Sequence, residues 1–409
     1  MKMKKVFVIV LALILAVGCI ACFTACNKEP AEEETFAGFA PIEKSKIKLG
    51  LITLHDSQST YDKNFIDAAT AACQNMGVQL VVKSGVDESD ACYNTAVELV
   101  EDGCNIIFAD SFGHEPYILK AAKEYPNVRF AHATGTTAHT ELVPNFYNAF
   151  ANIYEGRYLA GVAAGMKLAE LVAGGKAAKI GYVGAYTYAE VVSGYTSFFL
   201  GVKSIVPEVT MDVTFTGSWY DETAEKEAAN KLIQRGCVLI SQHADSMGAP
   251  SACEAAGIPN VTYNVSTKAQ CPNTYLVGSR INWAPYFTHL INCTINGVTA
   301  VGFDWVGGFA EGSVEITELN DAVAAAGTAE KLAEVKTKLM NKEIKVFDTA
   351  SFTVSQNALE TYLADVDSDA AFAKDTQVII NGYFAESLYR SAPYFDLTID
   401  GINLLDTKF

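Results

Sequence analysis

The chain has 409 residues, half of them hydrophobic and 19% charged, with a net charge of −17. That composition supplies a large core and excludes global disorder, and the length exceeds what one compact domain needs and suits two lobes. The acidic balance excludes a nucleic-acid partner, which needs a basic footprint, and excludes electrostatic docking on anionic lipid.

At the amino end, Lys2, Lys4 and Lys5 precede an apolar run from Val6 to Ala25, the pattern of a secretory signal. The run sits at the lower edge of the length that a membrane span requires. Phe23-Thr24-Ala25-Cys26, followed by polar Asn27-Lys28, is similar to a bacterial lipobox, whose cysteine becomes the lipidated first residue of the mature protein. Ala16-Val17-Gly18-Cys19 has nearly the same form but runs on into apolar Ile20-Ala21, so Cys26 is the expected lipidation site and residues 1–26 the signal. Loss of the three leader lysines takes the net charge to −20. Residues 27–45, with Glu32-Glu33-Glu34, read as an acidic tether. These features place the mature protein outside the cytoplasm, held to the cell membrane by lipid.

From residue 46, strand and helix signals alternate. Strands are expected at 47–54, 78–83, 105–109 and 128–133, and helices at 65–76, 89–101 and 115–124. Short apolar strands separated by helices are what a parallel sheet covered on both faces requires. Residues 135–148 break the rhythm with Thr, His, Pro and Asn, and read as a crossover between lobes. A second set follows, with helices at 154–171, 189–205 and 222–234 and strands at 179–184, 210–216, 238–242, 261–263 and 275–277. The first of these helices carries Gly156, Ala160, Gly161, Ala164 and Gly165 at close spacing. Helices at 282–296 and 330–340 come next, the first packing back on the first lobe; the stretch from 351 gives no topology. The expected class is therefore α/β, with two lobes, each a parallel sheet flanked by helices, facing each other across a cleft. Lobe 1 would hold 46–148 and about 283–310, and lobe 2 would hold 149–282 and about 311–409.

Seven cysteines lie beyond the leader, an odd number without a Cys-x-x-Cys pair, which reads as buried thiols. No Gly-x-Ser-x-Gly, Walker loop, His-Glu-x-x-His or Gly-x-Gly-x-x-Gly occurs, and no two histidines have metal-ligand spacing, so neither cofactor nor metal is expected. The informative residues are the polar sets after the strands: His55-Asp56-Ser57 with Tyr61-Asp62, Asp110-Ser111-Phe112-Gly113, His132-Ala133-Thr134-Gly135, Gly217-Ser218-Trp219-Tyr220-Asp221, His243-Ala244-Asp245-Ser246 and Asn264-Val265-Ser266. In open α/β sheets ligands sit beyond the carboxyl ends of the strands. Aromatics with fixed acceptors there suit a flat solute with hydrogen-bond donors. Asp221, Glu222 and Ser89 read first as helix caps.

The order of segments resembles the Bmp (basic membrane protein) family of ABC-importer substrate-binding lipoproteins. The resemblance rests on 50–53 with Asp62-Lys63-Asn64-Phe65, on 122–130, on Glu155-Gly156-Arg157-Tyr158-Leu159-Ala160-Gly161, and on 179–184. It continues through Ser218-Trp219-Tyr220-Asp221, Gln242-His243-Ala244-Asp245-Ser246 and Asn282-Trp283-Ala284-Pro285-Tyr286, covering most of 46–320. It implies a type I periplasmic-binding-protein fold, a purine nucleoside or nucleobase ligand, and an ABC permease as partner. It also implies that Phe65 stacks on the base while Asp56 or Asp62 takes its polar edge. Two departures stand out: Ile66 where nucleoside binders carry Asn, and Thr262-Tyr263-Asn264-Val265-Ser266 where they carry acidic residues. The expected ligand set is His55, Asp56, Tyr61, Asp62, Phe65, Ser111, Phe112, His132, Tyr186, Glu190, Trp219, His243, Asp245, Asn264 and Trp283, in a monomer that is a receptor and not an enzyme. The alternatives are a sensor for another small polar solute and a nucleoside hydrolase using His243 and Asp245.

Overall fold

The computed structural model describes residues 38–299, 304–366 and 373–408; the expected signal, Cys26 and the start of the acidic tether lie outside them. Two sheets carry the fold. The first contains β1 (Lys48–Ile52), β2 (Gln79–Lys83), β3 (Ile106–Ala109), β4 (Arg129–Ala133), β5 (Phe146–Ala151) and β11 (Asp304–Gly307), in the order β2-β1-β3-β4-β5-β11. All its pairings are parallel. The second contains β6 (Lys179–Gly184), β7 (Thr210–Phe215), β8 (Ile240–His243), β9 (Asn260–Tyr263), β10 (Tyr275–Ile281), β12 (Val314–Ile316) and β17 (Ile402–Leu404). Its order is β12-β10-β9-β8-β6-β7-β17, and only the β10–β12 pair is antiparallel. Two small sheets, β13 (Leu363–Ala364) with β14 (Thr376–Gln377) and β15 (Ile379–Ile380) with β16 (Tyr383–Phe384), lie in the carboxyl-terminal stretch.

The helices are α1 (Thr60–Met76), α2 (Asp90–Glu101), α3 (Glu115–Glu124), α4 (Ala138–Glu141), α5 (Ile153–Ala173), α6 (Ala189–Lys203), α7 (Glu222–Gln234), α8 (Gly248–Ala256), α9 (Ala284–Asn296) and α10 (Thr328–Met340). Every residue of β3, β4 and β5 is buried, as a strand covered by helices on both faces must be. The small residues of α5 let α6 approach closely: a Cβ on Gly161 would fall 2.2 Å from the Phe198 carbonyl oxygen, and one on Gly201 2.1 Å from that of Tyr158. Arg157 is fully buried beneath the second sheet, donating to the Tyr182 hydroxyl at 2.8 Å and to Ser241 Oγ at 2.9 Å. The seven cysteines among the described residues are buried free thiols. Among the same residues no helix is long and apolar enough to cross a membrane.

Three expectations need correction. The first helix begins at Thr60, five residues ahead of its expected start at Phe65, because the Ser59 side chain accepts the Asp62 amide and caps it. Residues 135–148 are not a crossover: they hold α4 and lead into β5, which joins the first sheet. Helix α8 was not expected, and it fills the interval between β8 and β9. Among the described residues the chain passes from one sheet to the other at Asn152, at Asn282–Trp283 and across 308–313. The crossings are tied together: the Asn152 amide donates to the Gly307 carbonyl at 2.8 Å, and the Asn282 amide to that of Ser313 at 2.8 Å. The carboxyl-terminal stretch closes the second sheet through β17, and Ser391 Oγ donates to Asp304 of β11 at 2.6 Å.

Candidate ligand-binding cleft

The carboxyl ends of β1 and β3 form one wall of the cleft. Asp62, in the first turn of α1, accepts the His55 amide at 2.8 Å through Oδ1 and the Ser59 hydroxyl at 2.5 Å through Oδ2. His55 Nδ1 lies 3.5 Å from Oδ2. The Tyr61 hydroxyl donates to the Asp110 carbonyl at 2.9 Å, which fixes its ring over the end of β3. The following Ser111–Phe112 turn is held from behind, with Ser111 Oγ donating to Glu88 at 2.6 Å and His132 Nε2 lying 2.6 Å from the Ser111 carbonyl oxygen.

The opposite wall comes from the second sheet. His243 ends β8, and its Nε2 lies 3.4 Å from Glu190 Oε1 in the first turn of α6. The Asp245 amide donates to the Trp219 carbonyl at 3.0 Å. Trp219 packs edge-on against Tyr186, which stacks on Tyr188 at 5.1 Å. Among the described residues the walls meet over the cavity at several places. The Thr60 amide donates to the Asp245 carbonyl at 2.9 Å, Phe112 stacks on Tyr188 at 5.2 Å, and His55 faces Tyr220 at 5.6 Å.

Between the walls is a cavity of about 370 Å³. Its lining includes His55, Tyr61, Asp62, Ser111, Phe112, Glu190, Trp219, His243 and Asp245 from the expected set. Leu54 and Thr134 line it as well and were not expected. Thr134 had a signal, since it belongs to the set after β4, and the structure adds another: its φ of 63° is left-handed, which a β-branched residue adopts only when its surroundings impose it.

The other expected residues lie elsewhere. Asp56 sits in an outer recess and accepts the Gln58 amide at 2.9 Å, the work of a turn. Tyr186 stands behind Trp219. His132 and Asn264 are buried, and neither lines the cavity. Phe65 and Trp283 stack on each other, with ring centroids 4.4 Å apart, and both are fully buried in the core with Phe108.

Carboxylates dominate the electrostatics. Burial opposes ionisation of Asp62, yet hydrogen bonds from the His55 side chain, Ser59 and the His55 amide outweigh it and hold the pKa below the usual range. Asp110 behaves oppositely: burial, then repulsion from Asp62, raises it. Asp245 is raised by burial and by repulsion from Asp62, Glu225 and Glu190. His243 is lowered by burial, against the pull of Glu190. The lining holds no Lys or Arg. Such a cavity offers acceptors and ring faces to a small solute.

Comparison with known proteins agrees with this architecture. The family described as "ABC transporter substrate-binding protein PnrA-like" (Bmp) matches residues 52–350. A purine-binding protein of Brucella abortus (strain 2308) is 29% identical over 76% of this chain and 87% of its own length. The Haloferax volcanii protein TsgA13, named as an ABC transporter glucose-binding protein, is 30% identical over 61% of this chain and 60% of its own. The nucleoside-binding protein BmpA of Lactococcus lactis subsp. cremoris is 24% identical over 68% and 74%. Among solved structures, an ABC-transporter solute-binding protein of Aeropyrum pernix K1 superposes with a TM-score of 0.63 at 18% identity, over 76% of this chain and 94% of its own. The two-lobed fold and the matched residues agree, and the chain belongs to the Bmp family of ABC-transporter substrate-binding proteins.

Proposed function

We propose that the protein is a lipid-anchored, extracytoplasmic receptor that captures a purine nucleoside or nucleobase between its lobes and delivers it, as a monomer, to an ABC permease. The observation that carries this reading is the cavity itself. It lies where the carboxyl ends of two sheets face each other, and rings and acceptors line it. Side chains from both walls crowd this space, which suits a compact solute. The name of the Brucella relative supports a purine, that of the Lactococcus relative supports a nucleoside, and Cys26 supports the anchor.

Capture and release follow from a hinge. The lobes are taken as the expected 46–148 with about 283–310 and 149–282 with about 311–409, with the first boundary moved to residue 151 because β5 completes its pairing in the first sheet there. Opening would break the Thr60–Asp245, Phe112–Tyr188 and His55–Tyr220 contacts while the tied crossings at Asn152 and Asn282 bend. A second reading, a sugar, is favoured by the glucose-binding name of the Haloferax relative.

Mass spectrometry of solute released from protein purified without added ligand tests the choice. A purine base or nucleoside is expected, and it should raise the melting temperature when added back, since ligand at a hundredfold excess over Kd stabilises by about 2.7 kcal/mol. Release of a sugar, with no response to any purine, would replace the first reading with the second.

A further inference from the structure

Asp245 is the one carboxylate lining the cavity whose oxygens have neither a hydrogen bond nor an ion-pair partner among the described residues. Asp62 is committed to the His55 amide and to Ser59, and Glu190 is directed at His243. Asp245, only 4% exposed, is held by its backbone alone, its amide on Trp219 and its carbonyl on Thr60 of the opposite wall. A buried carboxyl without a partner is costly, and no Lys or Arg lines the cavity to offset it. Resting on the cavity as the ligand site, we propose that Asp245 is the specificity residue. It takes hydrogen bonds from an N–H or O–H of an uncharged or cationic solute, and it rejects anionic relatives of that solute such as nucleotides.

Its acidic neighbours repel it: Asp62 of α1, Glu190 of α6 and Glu225 of α7, while Tyr61 of α1 and Tyr263 of β9 stand near it as neutral phenols. Of the two histidines in the lining, His243 is lowered by burial and faces Glu190, and His55 Nδ1 lies 3.5 Å from Asp62 Oδ2, so each is already turned to a carboxylate of the cavity. A phosphate would meet these acids without a counter-charge. A donor arriving at Asp245 instead favours its ionised form, and burial and like-charge repulsion disfavour that form in the empty cavity. Binding therefore releases a proton, and affinity rises with pH across that titration. The Asp245 carbonyl bond to Thr60 spans the two walls, so the residue that reads the solute also takes part in closing over it.

The same donor chemistry belongs to a purine and to a sugar, and the experiment separates them. Adenine, adenosine, glucose and AMP are titrated calorimetrically into the full chain and into Asp245→Asn and Asp245→Ala, at several pH values and in buffers of different ionisation enthalpy. Adenine or adenosine is expected to bind with proton release, and AMP not to bind. Asp245→Asn should weaken binding by about 10- to 100-fold and abolish the proton release. Its melting temperature without ligand should not fall, because the amide carries no charge to bury. Unchanged affinity of Asp245→Asn for whichever solute binds would overturn the inference, as would AMP binding as tightly as adenosine or binding by none of the four. Glucose binding alone, lost in Asp245→Asn, would overturn the purine reading while upholding the role of Asp245.

Discussion

Phe65 and Trp283 press their rings together across the seam between α1 and the start of α9, and that contact turns two expected ligand platforms into core. Truncating either to Ala should cost about 3–5 kcal/mol of stability in urea titrations, the usual scale for a buried aromatic. Trp219 differs, because it lines the cavity. Trp219→Ala should leave stability within about 1 kcal/mol and weaken ligand binding by about 1–3 kcal/mol, by analogy with base–aromatic stacking. If Trp219→Ala unfolds the protein while Phe65→Ala only weakens binding, the assignment is reversed. The sequence marks all three as aromatics near strand ends. Which of them keeps a free face is decided by a pairing between residues far apart in the chain, and no local pattern reports that. A second residue-scale expectation concerns Glu225, fully buried and pushed up to about 7 mainly by burial. The unfolded carboxyl loses its proton near 4.5, so between that pH and about 7 the folded chain holds a proton that the unfolded chain does not. Stability should then fall as pH rises through this window, with Glu386 acting in the same direction. Glu225→Gln should flatten the trend, and an unaltered profile in chemical denaturation would discount the residue.

Helices α5 and α6 show how much an element can reveal of its own packing. The small residues of α5 stood out in the sequence because only a close neighbour requires them, and the neighbour is α6, met at Gly161 and Gly201. Gly161→Ala should force the helices apart and cost about 1–3 kcal/mol, read as a lower melting temperature. A neutral outcome would mean that the contact relaxes freely. The start of α1 was also legible: Ser59-Thr60-Tyr61-Asp62 has the form of a capping box ahead of an alanine-rich run. The polarity of His55 to Asp62 competes with that signal, because polar runs suggest a loop. Strand β5 was hidden differently. Phe146-Tyr147-Asn148-Ala149-Phe150-Ala151 is apolar enough, but the Thr, His, Pro and Asn before it suggested a linker. Its Asn148 is buried because Oδ1 accepts the Ala138 amide at 2.7 Å, a tertiary demand that sequence alone does not announce.

At the scale of the molecule, the two-lobed plan was readable because alternating strands and helices permit few other arrangements. The wiring between the lobes was less so. A sheet's edge strands are assigned by what reaches them, and β11 and β17 reach theirs from distant parts of the chain. Strand β5 is finished by residue 151, yet its outer partner β11 begins only at Asp304, after β6 to β10 have been made. A chain emerging amino end first, from a ribosome or through a membrane pore, would therefore hold an uncharged strand edge open while β6 to β10 of the second sheet are still arriving. Another copy of the same strand could pair there, and such exposed edges are where chains aggregate. The late return of residues 304–307 makes this protein most vulnerable not in its finished state but in the interval before its first lobe can be sealed, and that interval lengthens whenever export slows.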